Sequence, residues 1–306
     1  MDAIELIRQG KINRYFRAKR KLNTPNLVSH ITQRAAGKEV LFLEESDYLL
    51  MLGLLKETAK NYSLSVYAFC LMPNHIHLLL SPRKENLYDA MRDLFSRYAV
   101  RFNRKYERKG HLFGGRYRQA VCLDDSYLLA ASLYIHLNPV KAGLASDFLG
   151  YRWSSWRLYC NNDAPRSFVN PDFILDLMSG NNLDRKERYR LLLEQGEGLE
   201  TEQVFEQEDA IERFRSKLVS VFPSLLRWVG KGKRVVGFSD VALLTMDELE
   251  TEIKGVKEGR FPTKPESKKA KKYLIEQLVA RGYKRSEIAD RLGVSRKTVY
   301  NILKSN

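Results

Sequence analysis

Two rhythms of apolar and polar residues run through the first half of the chain. Residues 26–34 alternate, with Leu27, Ser29 and Ile31 on one face and Val28, His30 and Thr32 on the other, which is the period of a strand. From Ser46 or Asp47 to about residue 62, Leu49, Leu50, Leu52, Leu54 and Leu55 recur at helical spacing. Residues 64–71 and 75–80 read as two strands joined by Met72-Pro73-Asn74. A long helix follows over 87–106, ended by Gly110, then a strand over 116–122 and a helix over 125–138 that Pro139 stops. The order β-α-β-β-α-β-α predicts an α+β fold, an antiparallel sheet with helices packed on one face.

From about Cys160 the texture changes. Asn161-Asn162-Asp163-Ala164-Pro165 is a loop signal, and the chain beyond is helix-prone, acidic over 194–212 and interrupted by Lys231-Gly232-Lys233. Residues 161–262 carry no motif and read as a helical connector, with 259–265 as a linker around Pro262. Residues 284–303 read as a helix-turn-helix. Ile288, Ala289 and Leu292 form one apolar face, Gly293 permits the turn, Ser295 caps the second helix, and Val299, Ile302 and Leu303 face inward. Arg296, Lys297, Thr298, Tyr300 and Asn301 then point outward, near the start of a helix that could enter a major groove. A helix over 267–281 would complete a three-helix unit. The expected division is a basic segment over 1–23, a catalytic domain over 24–160, the connector over 161–262 and the helix-turn-helix over 263–306.

Charge sharpens this picture. The 306 residues hold 52 Lys and Arg against 37 Asp and Glu, a formal +15. That excess favours a polyanionic partner, since each neutralised phosphate releases counterions. The last 44 residues hold twelve basic side chains against four acidic ones, over half of the excess, which favours duplex DNA over protein as the partner of the helix-turn-helix. No run approaches the roughly 18 apolar residues of a membrane-spanning helix, and the start lacks the plan of a secretory signal. Three cysteines without a CxxC pair offer neither a disulfide framework nor a cysteine-rich zinc site. The expectation is a cytoplasmic, nucleoid-associated protein with no membrane partner.

Two short constellations carry chemistry. His75-Ile76-His77 lies in an apolar strand, where residues two apart share a face, so both imidazoles can reach one divalent ion. Chance strand composition would give the same pair. Tyr134 and Asn138 are one helical turn apart on one face. A phenol, with an ordinary pKa of about 10, is a weak nucleophile unless a metal polarises its target and the geometry is in line. A helical tyrosine is more commonly a packed aromatic, and His136, two residues along, points elsewhere and reads as structural.

The runs 72–80, Gly110-His111-Leu112-Phe113-Gly114-Gly115-Arg116-Tyr117, 134–143 and Tyr151-Arg152-Trp153-Ser154-Ser155 together resemble the single-tyrosine HUH transposases of the insertion-sequence two-hundred type, and more closely the REP-associated tyrosine transposases. The resemblance covers about residues 24–160 and implies a ferredoxin-like core. It implies that His75 and His77 bind Mg²⁺ or Mn²⁺, and that Asn138 stands where many relatives carry Gln as third ligand. Tyr134 would cut single-stranded DNA, hairpin-bearing in such relatives, keeping the 5′-phosphate as phosphotyrosine and freeing a 3′-OH. Both a monomer and a homodimer with shared sites are compatible with it. Arg97, Arg101, Arg104, Lys105, Arg116 and Arg118 could hold the DNA backbone, with Tyr98, Phe102 and Tyr117 interleaved to stack on unpaired bases; residue by residue, a solvated basic face with core aromatics is the slightly stronger reading. The rival readings are a non-catalytic DNA-binding regulator on the same fold and a metal hydrolase using activated water.

Overall fold

A computed structural model describes residues 15–16, 21–37, 39–122, 125–178, 184–199, 210–221, 246–258, 264–280, 283 and 285–304. Most of the basic segment 1–23, the Lys231-Gly232-Lys233 interruption and most of the 259–265 linker lie outside the described residues.

Strands β1 (Tyr15–Phe16), β2 (Ser29–Arg34), β3 (Leu64–Met72), β4 (His75–Pro82) and β5 (Arg118–Val121) form an antiparallel sheet in the order β1-β5-β2-β4-β3. Helix α1 (Glu45–Asn61) links β2 to β3, and α2 (Leu87–Lys105) links β4 to β5. This is the expected ferredoxin-like arrangement, and both crossover helices cover one face, packing Leu54, Leu55, Met91 and Leu94 onto Ile31, Ile76, Leu78 and Leu80. The buried Asp47 carboxylate ties the two helices together. It accepts from the backbone N–H of Leu43 (2.9 Å) and Glu44 (3.1 Å), from the Tyr106 hydroxyl (2.8 Å) and from Lys105 Nζ (2.7 Å).

The other face is covered by α3 (Asp125–Lys141), against Val28, Ala68, Cys70, Met72 and Leu79. Burial on both sides explains why every residue of β4 is buried instead of every second one. The outer edge of β3 is closed by the segment before α4 (Trp156–Cys160): Leu71 N–H donates to Trp153 O (2.9 Å), and Ser155 N–H to Phe69 O (3.0 Å). The Tyr151 hydroxyl donates to Leu71 O (2.6 Å). The Tyr151–Ser155 motif thus shields an edge that would otherwise present unpaired backbone groups.

Helices cover both faces of the sheet where the sequence pattern predicts one, because β4 is apolar on both sides, and two further expectations need correction. Helix α3 does not stop at Pro139 but runs on to Lys141. A proline this late removes one bond, and the end is closed by Ala142 N–H to Asn138 O and Leu144 N–H to Pro139 O, both 2.9 Å, with Gly143 at φ +69°. Nor is the region after 160 a mere connector. Helix α5 (Asp172–Leu175), α6 (Arg185–Glu197) and α7 (Ala210–Val221) share the core of α3 through Ile174, Tyr189, Leu192, Leu193, Ile211, Phe214 and Leu218. The reason lies in α3 itself: it is buried around its whole circumference from Tyr127 to Pro139, so a sheet on one side cannot satisfy it. At Gly196 the contact is close enough that an added Cβ would lie 2.4 Å from Leu137 Cδ1. His136 is structural, as expected. Its Nδ1 and Nε2 pair with the Tyr189 hydroxyl and Ser155 Oγ, both at 2.8 Å, and burial pushes its pKa down to about 3.

A second core joins α8 (Met246–Lys257), α9 (Lys264–Ala280), α10 (Arg285–Leu292) and α11 (Arg296–Lys304) through Leu249, Ile253, Leu274, Leu278, Ile288, Leu292 and Val299. The expected turn is present, with Gly293 at φ +64° and Ser295 Oγ accepting from Thr298 N–H (3.0 Å). Helix α8 adds a fourth element that lies outside the expected 263–306 unit.

Two outcomes follow from this packing. A fragment of residues 1–160 should aggregate or lose its cooperative melt, whereas a fragment ending at about residue 225 should melt cooperatively; differential scanning calorimetry of the two decides. The unfolded chain binds a proton at His136 near pH 6.5 that the folded core refuses until about pH 3. Stability should therefore fall as pH drops below 6.5, by about 1.4 kcal/mol per pH unit for this imidazole. Urea melts at neutral and mildly acidic pH, with His136→Gln showing a flatter response, check it.

Candidate active site

The two histidines of the His-x-His pair sit on β4, a central strand, and alternate with Ile76 so that both face α3. His75 is 8% and His77 2% exposed, and their rings meet edge-on at 4.7 Å. A third imidazole joins them. His30 on β2 stacks on His77 at 5.0 Å, and His30 Nε2 shares a hydrogen bond with His77 Nδ1 at 2.8 Å. His75 Nδ1 donates to Asn74 Oδ1 (2.6 Å), which directs its Nε2 lone pair away from the hairpin. His77 Nε2 is buried and has no hydrogen-bond partner. Burial holds His77 well below the ordinary histidine range, helped by His75, His30 and Arg34. Burial, with His75, also lowers His30 to about 3. Both rings are therefore neutral near pH 7 and able to offer a lone pair.

Helix α3 brings Tyr134 over this cluster. Its ring lies 5.9 Å from that of His77 and 6.2 Å from that of His30, edge-on to both. On its other side it meets Phe214 of α7 at 6.2 Å. Asn138, one turn along, is 2% exposed with Nδ2 buried and unpartnered. A 180° turn of the amide exchanges Nδ2 with Oδ1, so either atom can occupy that position. Two buried polar atoms without partners, each costing about 1–3 kcal/mol if left so, fit a ligand that takes lone pairs. Among the described residues no three His, Cys, Asp or Glu side chains form a metal-binding group, which leaves an amide as the natural third donor.

Strand register decides which cations approach the site. Thr32 lies opposite His77, Arg118 opposite Thr32, and Arg34 opposite His75, so Arg118 and Arg34 project from the face of the histidines. Arg118 is exposed. The arginines expected on α2 are placed differently, because α2 covers the opposite face of the sheet. There Arg97 is paired with Glu57 (2.7 Å) and Asp93 (3.4 Å), and Lys105 with Asp47 (2.7 Å) and Glu44. Arg101 and Arg104 are exposed but do not reach the histidines' side. Tyr98 and Phe102, candidates to stack on bases, are instead the core aromatics of the alternative reading, at 0% and 2% exposure. Tyr117 is 5% exposed and stacks against neither histidine nor tyrosine of the site. Arg116 is exposed beside Tyr88, its guanidinium 6.0 Å from that ring.

On α11, Arg296, Lys297 and Asn301 are exposed and Tyr300 is 45% exposed, its ring 5.2 Å from the Arg285 guanidinium. The Thr298 hydroxyl is engaged by Ser295 Oγ (2.8 Å), so it serves the cap. Sequence reasoning missed His30 and Arg34. His30 was already on the Val28–Thr32 face of its strand, but only the pairing of β2 with β4 puts it against His77.

Comparison with known proteins finds matches to two parts of the chain. Residues 23–138 match the family described as Transposase IS200 like, and residues 267–306 match a homeodomain-like domain. A Haemophilus influenzae protein provisionally named REP-associated tyrosine transposase is 28% identical over 112 residues, which cover 33% of this chain and 64% of that protein's length. A solved structure of a REP-associated tyrosine transposase bound to a REP hairpin overlaps 51% of this chain and 94% of its own, at 12% identity and a TM-score of 0.43. No described helix is long and apolar enough to cross a membrane. The three imidazoles, Tyr134 and Asn138 all fall inside the 23–138 match to IS200-like transposases, and α10 and α11 fall inside the 267–306 match to a homeodomain-like domain.

Proposed function

We propose that this chain cuts and rejoins single-stranded DNA through a covalent link to Tyr134. The observation that carries the reading is the convergence, over 57 residues of sequence, of the Tyr134 ring on a pair of neutral imidazoles, one with a buried, unpartnered nitrogen. The Tyr134 oxygen forms the new bond to phosphorus as the P–O3′ bond breaks. The phenol loses its proton to solvent and the departing 3′ oxygen gains one. Reversal, or attack by another 3′-OH, restores a phosphodiester without ATP, because the bond energy is kept in the phosphotyrosine.

His75 and His77, with Asn138, would hold one Mg²⁺ or Mn²⁺ ion. When bound, such an ion neutralises charge on the non-bridging oxygens and orients the phosphate. His30 serves as a positioning residue: accepting from His77 Nδ1–H fixes the tautomer that leaves Nε2 free. Arg118, with Arg34 beside it, would hold the phosphate on the histidines' side. Arg116 would extend that contact along the strand, and Arg101 and Arg104 would at most touch DNA passing over the opposite face. The helix-turn-helix would dock on duplex DNA through Arg296, Lys297, Tyr300 and Asn301. The name carried by the Haemophilus influenzae relative supports the same activity. A pure DNA-binding regulator would have no use for the unpartnered nitrogen, and a hydrolase acting through activated water would form no adduct.

Wild-type protein, incubated with Mn²⁺ and end-labelled single-stranded DNA that contains a hairpin, should give a covalent adduct on a denaturing gel; Tyr134→Phe should abolish it. Cleavage without an adduct would favour the hydrolase. Replacing His30 with Ala should weaken Mn²⁺ binding about 10–100-fold by paramagnetic resonance titration, with partial rescue by Gln. Unchanged affinity would leave His30 a packing residue only. Removing residues 246–306 should weaken duplex binding in a gel shift while the adduct still forms.

A further inference from the structure

On the α2 side of the sheet, away from the histidines, lies a cavity of about 700 Å³ between α2 and the 110–117 segment. Its walls are aromatic. Phe95 meets Phe113 edge-on at 5.4 Å, and Tyr117 lies 6.5 Å from Phe95. The mouth is cationic. Lys21 Nζ stands 4.5 Å from the centre of the Tyr117 ring, and Tyr88 is flanked by the guanidinium groups of Arg92 (5.6 Å) and Arg116 (6.0 Å). Among the described residues the carboxylate beside this mouth is Asp89, which is paired with Arg92 at 2.9 Å. Burial and the charges of Arg116 and Arg118 push Lys21 down to about 8.

Tyr117, one of the cavity's walls, is only 5% exposed, and its hydroxyl is buried behind the cavity surface without a hydrogen-bond partner. The glycines of the 110–117 segment shape the space. Gly115 adopts φ +146°, and a Cβ on Gly114 would come within 3.0 Å of Ala35 O, so this segment lies directly on the end of β2. Gln33 fixes it there by donating from Nε2 to Gly115 O (3.0 Å).

We infer that this cavity receives an unpaired base of the DNA strand whose phosphate lies at the catalytic tyrosine. The chemistry selects the ligand: a flat aromatic body for the Phe95, Phe113 and Tyr117 walls, a polar edge for the lone hydroxyl, and phosphate for the mouth. Continuity selects a strand over a free nucleotide. Lys21 is close enough to Arg116 and Arg118 to feel both, and Arg118 stands across from Thr32, which faces His77. Cations thus lead from the cavity mouth around the β5 side of the sheet to the site. A base held there would fix which phosphate reaches Tyr134, so the cavity would set cleavage position. This inference rests on the strand-cutting reading and deepens it.

The test uses full-length protein and a short oligodeoxythymidine carrying one photoreactive 5-iododeoxyuridine. Crosslinks should map to Tyr88, Phe113 or Tyr117. Ser96→Trp fills the cavity from an exposed position on α2, leaving the core intact. It should weaken oligonucleotide binding about tenfold, the loss expected for one stacked base. Tyr117→Phe should weaken it about threefold while retaining the wild-type thermal melt. Crosslinks confined to other surfaces, or wild-type affinity in Ser96→Trp, would overturn the inference. So would displacement of the oligonucleotide by thymidine monophosphate at equal nucleotide concentration. If wild-type protein forms the Tyr134 adduct while Ser96→Trp binds normally, only the cavity's role fails. If no adduct forms in any protein, the strand-cutting reading fails, and the crosslink map still decides the cavity.

Discussion

The hydrogen bond between His30 and His77 is the constraint on which the site depends. Two imidazoles on a central strand are out of reach of water, and each ring nitrogen needs a partner or a purpose. Asn74 takes one nitrogen of His75 and His30 takes one of His77. What remains on His77 is a single unpartnered nitrogen, beneath an aromatic ring that carries a hydroxyl. Burial holds His30 and His77 well below the ordinary histidine range, so these two rings offer lone pairs and not positive charge.

Placing Tyr134 there requires α3 to lie directly on the sheet, and that has a structural consequence. A helix so apolar cannot face water on its outer side, which is why α6 and α7 are needed to cover it. Phe214 shows the economy of the arrangement, since one residue of the outer layer packs against the Tyr134 ring itself. The layer that solves a folding problem also sets the orientation of the Tyr134 phenol. His136, though close in sequence, belongs wholly to this packing, bound on both nitrogens by Tyr189 and Ser155.

Basic residues that look alike in sequence have three different fates. Arg97 and Lys105 are consumed by carboxylates and hold α1 to α2. Arg118 and Arg34 share a face with the histidines through strand pairing. Arg116 and Lys21 frame an aromatic cavity on the other side. Net charge announces a polyanionic partner, but ion pairing and register determine which cations are available to it.

Periodicity alone gave the order of strands and helices from β2 to α3, though not the short β1, together with the helix-turn-helix with its Gly293 turn and Ser295 cap and the shared face of His75 and His77. These are local properties, set by bond geometry over a few residues. The motifs carried the pairing of the histidines with Tyr134 only through resemblance, because no local rule links a strand at 75–77 to a helix at 134. Long-range packing decided the rest. The register of β2 against β4 recruited His30, the full burial of α3 drew α6 and α7 into the domain, and the side of the sheet taken by α2 removed its arginines from the site. Such facts depend on which faces meet, and a sequence specifies faces only once every neighbour competing for the same apolar surface is in place.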